Sequence, residues 1–114
     1  MSDASTNQPR GSERRAWIRY PRTLDMLWQF LGVAPREMAS AQVFDISTAG
    51  LGLVADEPFP LETILVVRIP TTTQGWNSHL VRVKHCQPLE TGLFQVGCAF
   101  VRPLQPEQLR ALVG

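Results

Sequence analysis

Residues 41–53 read AQVFDISTAGLGL, and the reading of this stretch decides the fold. Ala41 to Ile46 is short and carries Val43, Phe44 and Ile46, residues that suit a pleated, half-buried strand. Phe44 and Ile46 are expected to face the same way, because side chains alternate along a strand. Asp45-Ile-Ser47-Thr-Ala-Gly50 then collects turn-forming residues, so Ser47 to Gly50 reads as a tight connection. Beyond it, Leu51 and Leu53 resume the two-residue period as the next strand.

The same period extends in both directions. Upstream, Leu24, Met26, Trp28 and Phe30 alternate with the polar Asp25 and Gln29, a half-buried first strand. The glycine and proline of residues 32–36 mark a loop. Downstream, Asp56-Glu57-Pro58 is a turn, and Thr63 to Ile69 is dense in β-branched residues, the fourth strand. A threonine-rich loop, residues 70–75, precedes a fifth strand from Trp76 to Cys86, with Val81 and Val83 on one face. Glu90-Thr91-Gly92 is a hairpin turn. In the sixth strand, Leu93 to Val101, the residues Phe94, Val96, Cys98 and Phe100 share a side. Gln105 to Leu112 reads as a short helix with Pro106 in its first turn. The expected fold is all-β: a six-stranded antiparallel β-barrel with a short C-terminal α-helix that covers one open end. Closure removes the exposed sheet edges that invite aggregation.

Length and composition fit this scheme. A chain of 114 residues is one domain of modest core. Residues 1–12 have the composition of a disordered tail, and residues 13–114 form the domain. Within it, 13–22 is an arginine-rich linker, 23–101 the barrel and 105–112 the helix. No apolar run approaches the roughly 20 residues of a membrane span, and the polar N-terminus lacks the apolar core of a signal peptide. The expectation is a cytoplasmic protein without a membrane partner. Cys86 and Cys98 are expected to be reduced thiols on strands, and no cofactor or metal is expected. His79 and His85 lie six apart in one strand and are expected to face one side, at the surface or rim, short of a zinc set.

The net charge is only +1, but its distribution is uneven. Residues 10–22 hold five arginines against Glu13, whereas residues 23–114 carry six bases against eight acids. A slightly acidic barrel disfavours a nucleic-acid partner, which needs a long basic groove. Within the basic stretch, Arg15-Ala-Trp-Ile-Arg19 follows directly on Arg14. Residues four apart share a side on either a helix or a strand, so two guanidinium forks can converge on one ligand. Arginine grips phosphate bidentately and also pairs with the O6 and N7 acceptors of guanine. Asp45, in the D-x-S-x-x-G turn, accepts hydrogen bonds only, which suits the N–H groups on the other edge of guanine. Ser47 can donate or accept nearby, and Gly50 is expected to allow a positive φ and close ligand approach.

These residues, in this order on a six-strand chain, resemble the PilZ domain family. Val96-Gly97-Cys98-Ala99-Phe100 adds a third similarity, to the family's late G-x-x-F strand. The resemblance spans about residues 13–112. It implies a receptor for cyclic di-GMP, with Arg14, Arg15, Arg19, Asp45, Ser47, Gly50 and Gly97 as ligand-binding residues. It also implies that the arginine linker wraps the nucleotide against the barrel, that Arg14 suits an intercalated ligand dimer, and that a downstream protein partner carries the output. One alternative is a PilZ-like barrel that acts as a protein-interaction adaptor without nucleotide. An enzyme is not expected, since the chain holds no nucleophile elbow, P-loop or H-E-x-x-H.

Overall fold

A computed structural model describes residues 20–32, 38–72 and 75–113. The expected tail, residues 1–12, and the linker arginines Arg14, Arg15 and Arg19 lie outside the described residues. Six strands and one helix follow in order among those described: β1 (Tyr20–Phe30), β2 (Ala39–Ile46), β3 (Gly50–Ala55), β4 (Ile64–Pro70), β5 (Trp76–Pro88), β6 (Phe94–Phe100) and α1 (Pro106–Val113). They close into a barrel in the order β1-β2-β3-β6-β5-β4, with every neighbouring pair antiparallel. β1 seals the barrel by pairing β2 along one edge and β4 along the other.

Alternation fills the interior. Met26, Val43, Leu51, Leu53, Leu65, Val67, Val81, Val83 and Val96 are all inaccessible to solvent. Removing such side chains from water is the main stabilising term of the fold. Leu109 and Leu112 of α1 join the same cluster, and Thr72 fastens the helix to the loop after β4. The Thr72 N–H and hydroxyl both donate to the Ala111 carbonyl, at 2.7 and 3.1 Å. At the other end of α1 the Gln108 side-chain oxygen accepts from the Gln105 N–H at 2.7 Å, satisfying one donor of the first turn.

Two β-bulges overturn expectations about facing. One lies between Val43 and Asp45 in the β2–β3 ladder. It puts Val43 and Ile46 in the core and leaves Phe44 half-buried outside it, so Phe44 and Ile46 do not share a face. The other lies between Val83 and His85 in the β5–β6 ladder. His79 keeps the inward side of Val81 and Val83 and meets the Phe100 ring edge-on at 5.5 Å, whereas His85 points outward. The two histidines therefore face opposite sides of β5. An extra residue in one strand reverses the alternation beyond it, and simple periodicity does not register that reversal.

Candidate functional site

Outward positions of four strands line up across the barrel at one height, and β1 joins them in register at Pro21. Pro21 of β1 pairs with Asp45 of β2, Asp45 with Gly52 of β3, Gly52 with Gly97 of β6, and Gly97 with His85 of β5. Their inward neighbours Ile46, Leu51, Val96 and Val83 are wholly buried, which fixes this row on the outer face. Both bulges feed it: the first turns Asp45 outward and the second does the same for His85.

Two adjacent glycines form the centre of the row, and aromatic rings cover them. A Cβ on Gly52 would lie 2.5 Å from Cζ of Phe44 and 2.9 Å from Oδ1 of Asp45. A Cβ on Gly97 would fall within the imidazole of His85. The rings of Phe44 and His85 thus fill the space over the two glycines, both of which are buried, with the Asp45 carboxylate beside them. Glycine within a strand often marks such a close approach.

The turn that holds Asp45 is built by Ser47. This residue is fully buried. Its hydroxyl oxygen accepts from the N–H groups of Ala49 and Gly50, each at 3.2 Å, and its own N–H donates to the Gly50 carbonyl at 2.8 Å. Serine is suited to this because it supplies acceptor and donor at the length of a turn. Gly50 differs from the expectation: its φ is not positive, and among the described residues that conformation is taken by Gly32, Gly75, Gly92 and Glu62. Gly50 is needed for a different reason, since a Cβ there would collide with the backbone carbonyl of Cys98 on β6. Ser47 and Gly50 thus shape the turn, while Asp45 and Gly97 sit on the outer row. The turn is also hydrogen-bonded onward, with Phe100 N–H donating to Ala49 O and Leu104 N–H to Thr48 O, both at 2.8 Å.

Three members of the site, Phe44, Gly52 and His85, do not stand out by motif. Gly52 carried a signal, as a glycine inside a strand. Phe44 and His85 depend on the bulges and are recognisable only from the pairing. The arrangement offers a carboxylate acceptor beside two rings, which is suited to a planar polar ligand. It offers no free hydroxyl nucleophile, because the Ser47 oxygen is committed to the turn.

Among solved structures, the fold is similar to that titled "Structure of Bacillus subtilis Inhibitor of motility (MotI/DgrA)", with a TM-score of 0.65 and 19% sequence identity. The match covers 87% of this chain and 48% of that one, so this chain spans about half the length of that structure. No curated protein matches the chain. The family model described as PilZ domain matches residues 13–114, a span that runs from the arginine stretch through the Asp45 turn, the Gly97 strand and α1. The chain therefore belongs to the PilZ domain family, whose members are binding modules of the cyclic di-GMP receptor class.

Proposed function

We propose that this chain is a cytoplasmic receptor for cyclic di-GMP that signals by ordering its arginine-bearing N-terminal segment against the barrel. The register at the start of β1 carries the reading. Tyr20 pairs with Ile46 and Pro21 with Asp45, so the chain enters the barrel beside the turn carboxylate. Arg19 directly precedes Tyr20 and Arg15 lies five residues before it. At about 3.5 Å per extended residue, the Cα atoms of both arginines can be no farther than roughly 21 Å from Pro21, the partner of Asp45.

The chemistry divides by residue. Asp45 accepts from the N1 and N2 donors of a guanine laid against the rings that cover Gly52 and Gly97. The His85 and Phe44 rings border the base and restrict it to a planar heterocycle. Arg15 and Arg19 take the phosphates and the O6/N7 edge, and Arg14 adds donors for a second, stacked ligand. Ser47 and Gly50 hold the turn in shape. Ligand phosphates neutralise an arginine cluster that otherwise repels itself, and the ordered segment is the signal passed to a downstream protein.

Isothermal titration of the full chain with cyclic di-GMP tests the proposal, with GTP and cyclic di-AMP as controls. Saturable, guanine-selective heat is the expected result, and the stoichiometry reports on Arg14. Absence of heat at high ligand excess would refute the receptor reading and leave an adaptor that binds protein alone.

A further inference from the structure

A second groove, about 450 Å³ in volume, lies between β5 and the segment that leads into α1. Its walls include Ser78, Leu80, Val101, Arg102, Gln105 and Gln108. Leu80 is 40% exposed and Val101 44% exposed, high values for two aliphatic residues that line one groove. The Val101 N–H donates to the Leu80 carbonyl at 2.9 Å, so the two form one continuous edge. Trp76, also 44% exposed, stands on the same outer face of β5, with the exposed Ser78 between it and Leu80. Exposed apolar side chains rimmed by polar ones mark interaction sites.

Two arginines flank this groove, against one acid, Glu107, which lies between the lining residues Gln105 and Gln108. Arg102 lines the groove, and Arg68 of β4 is paired directly with Ser78. Both are exposed, and neither forms an ion pair with an acid among the described residues, where Glu62 instead takes Arg82 and Lys84. Tryptophan and arginine are the residue types that most often dominate binding at protein interfaces. Two unpaired guanidinium groups beside leucine and valine call for carboxylates next to aliphatic side chains. The net negative charge of residues 23–114 opposes an extended polyanion such as nucleic acid.

The geometry points to this groove as the docking site for an acidic, leucine-rich segment of a partner protein. Its position also suits a readout of the nucleotide site. Residues 101–104 form one wall, and that wall is bracketed by the two hydrogen bonds from the Asp45 turn, Phe100 N–H to Ala49 O and Leu104 N–H to Thr48 O. A ligand that shifts the turn shifts the wall, and a packed element with two arrangements is what couples one site to another. The coupling rests on the nucleotide reading above, whereas the docking does not.

Amide spectra of the full isotope-labelled chain test the inference, using a synthetic twelve-residue peptide of glutamate, aspartate and leucine and a control with lysine at every acidic position. The acidic peptide should shift residues 78–80 and 101–108 saturably, and the lysine control should not. Arg102→Glu and Leu80→Ser should each weaken binding at least tenfold with an unchanged melting temperature, and cyclic di-GMP should alter the affinity at least threefold. Equal responses to both peptides, shifts confined to other residues, or no response at millimolar peptide would overturn the docking. So would dimerisation in sedimentation velocity that Arg102→Glu abolishes, which would give the groove to a second copy. Peptide binding without any cyclic di-GMP heat would uphold the groove and sink the receptor proposal and its coupling, whereas nucleotide binding without peptide binding would sink the groove alone.

Discussion

Adding one methyl group at Gly50 and at Gly97 should give opposite results, and the contrast tests the role assigned to each. At Gly50 the new Cβ meets the carbonyl oxygen of Cys98, with the Cys98 carbon and the Ala99 Cα both at 3.1 Å. All three are backbone atoms of β6, so no side chain can turn aside. β3 must lift away where Gly50 pairs with Ala99. Overpacking of this kind costs about 1–3 kcal/mol, and each ladder hydrogen bond lost adds about 1 kcal/mol. Replacing glycine inside a strand returns about 0.5–1 kcal/mol. The net loss for Gly50→Ala is then about 1–3.5 kcal/mol, or roughly 5–20 °C in melting temperature for a domain of this size. At Gly97 the Cβ meets only the imidazole of His85, an exposed side chain that can rotate away. Gly97→Ala should shift stability by less than about 1 kcal/mol, because an exposed imidazole can yield where backbone cannot and removing glycine from a strand returns part of the cost. It should nevertheless weaken cyclic di-GMP binding at least tenfold, because it displaces the imidazole that covers Gly97 and borders the base. Urea denaturation followed by tryptophan fluorescence supplies the stabilities, since Trp28 is 5% exposed in the core, and titration calorimetry supplies the affinities. Equal stability losses in the two variants, or a Gly50→Ala protein within 1 kcal/mol of the parent, would refute the reasoning.

Further outcomes are open to direct measurement. Arg15→Ala and Asp45→Asn should each weaken cyclic di-GMP binding by roughly 1.5–3 kcal/mol, the worth of charge-assisted hydrogen bonds, and Arg15→Lys should also weaken it because the fork is lost; undiminished calorimetric affinity in all three would contradict the assigned roles. Burial holds the His79 imidazole below its ordinary range, and its Nε2 is buried with no hydrogen-bond partner among the described residues. The unfolded chain therefore takes up a proton near pH 6.5 that the folded chain resists, so stability is full above that pH and declines as the pH falls below it. His79→Gln should flatten the melting-temperature profile between pH 7 and pH 5, and an unchanged slope would place the effect elsewhere. Burial, with the neighbouring Cys86 adding to it, pushes the Cys98 thiol up to about 12. Iodoacetamide at pH 8 should consequently leave Cys98 unmodified in the native chain and label it in urea, as read by mass spectrometry, because the thiolate is the reactive form.

Much of the architecture is legible without coordinates, for reasons that are local. The alternation of Leu24, Met26, Trp28 and Phe30 anticipates β1 with Met26 and Trp28 in the core, and that of Phe94, Val96, Cys98 and Phe100 anticipates β6. Turn chemistry locates the connection at Ser47–Gly50, and Pro106 marks the start of α1. Of the candidate site, Asp45 and Gly97 are legible and do lie on one row, through their pairings with Gly52.

The sequence by itself determined the strand order along the chain, the inward residues of regular strands and the D-x-S-x-x-G turn, because each follows from neighbours within a few positions. Tertiary structure alone decided the barrel order β1-β2-β3-β6-β5-β4, the bulges beside Phe44 and Lys84, and so the outward turn of His85. It also decided why Gly50 must be glycine: a carbonyl from Cys98, 48 positions away in the chain, occupies the space. A bulge and a close backbone approach are both properties of a pair of strands. They depend on which partner lies alongside, and only the closed sheet specifies that partner.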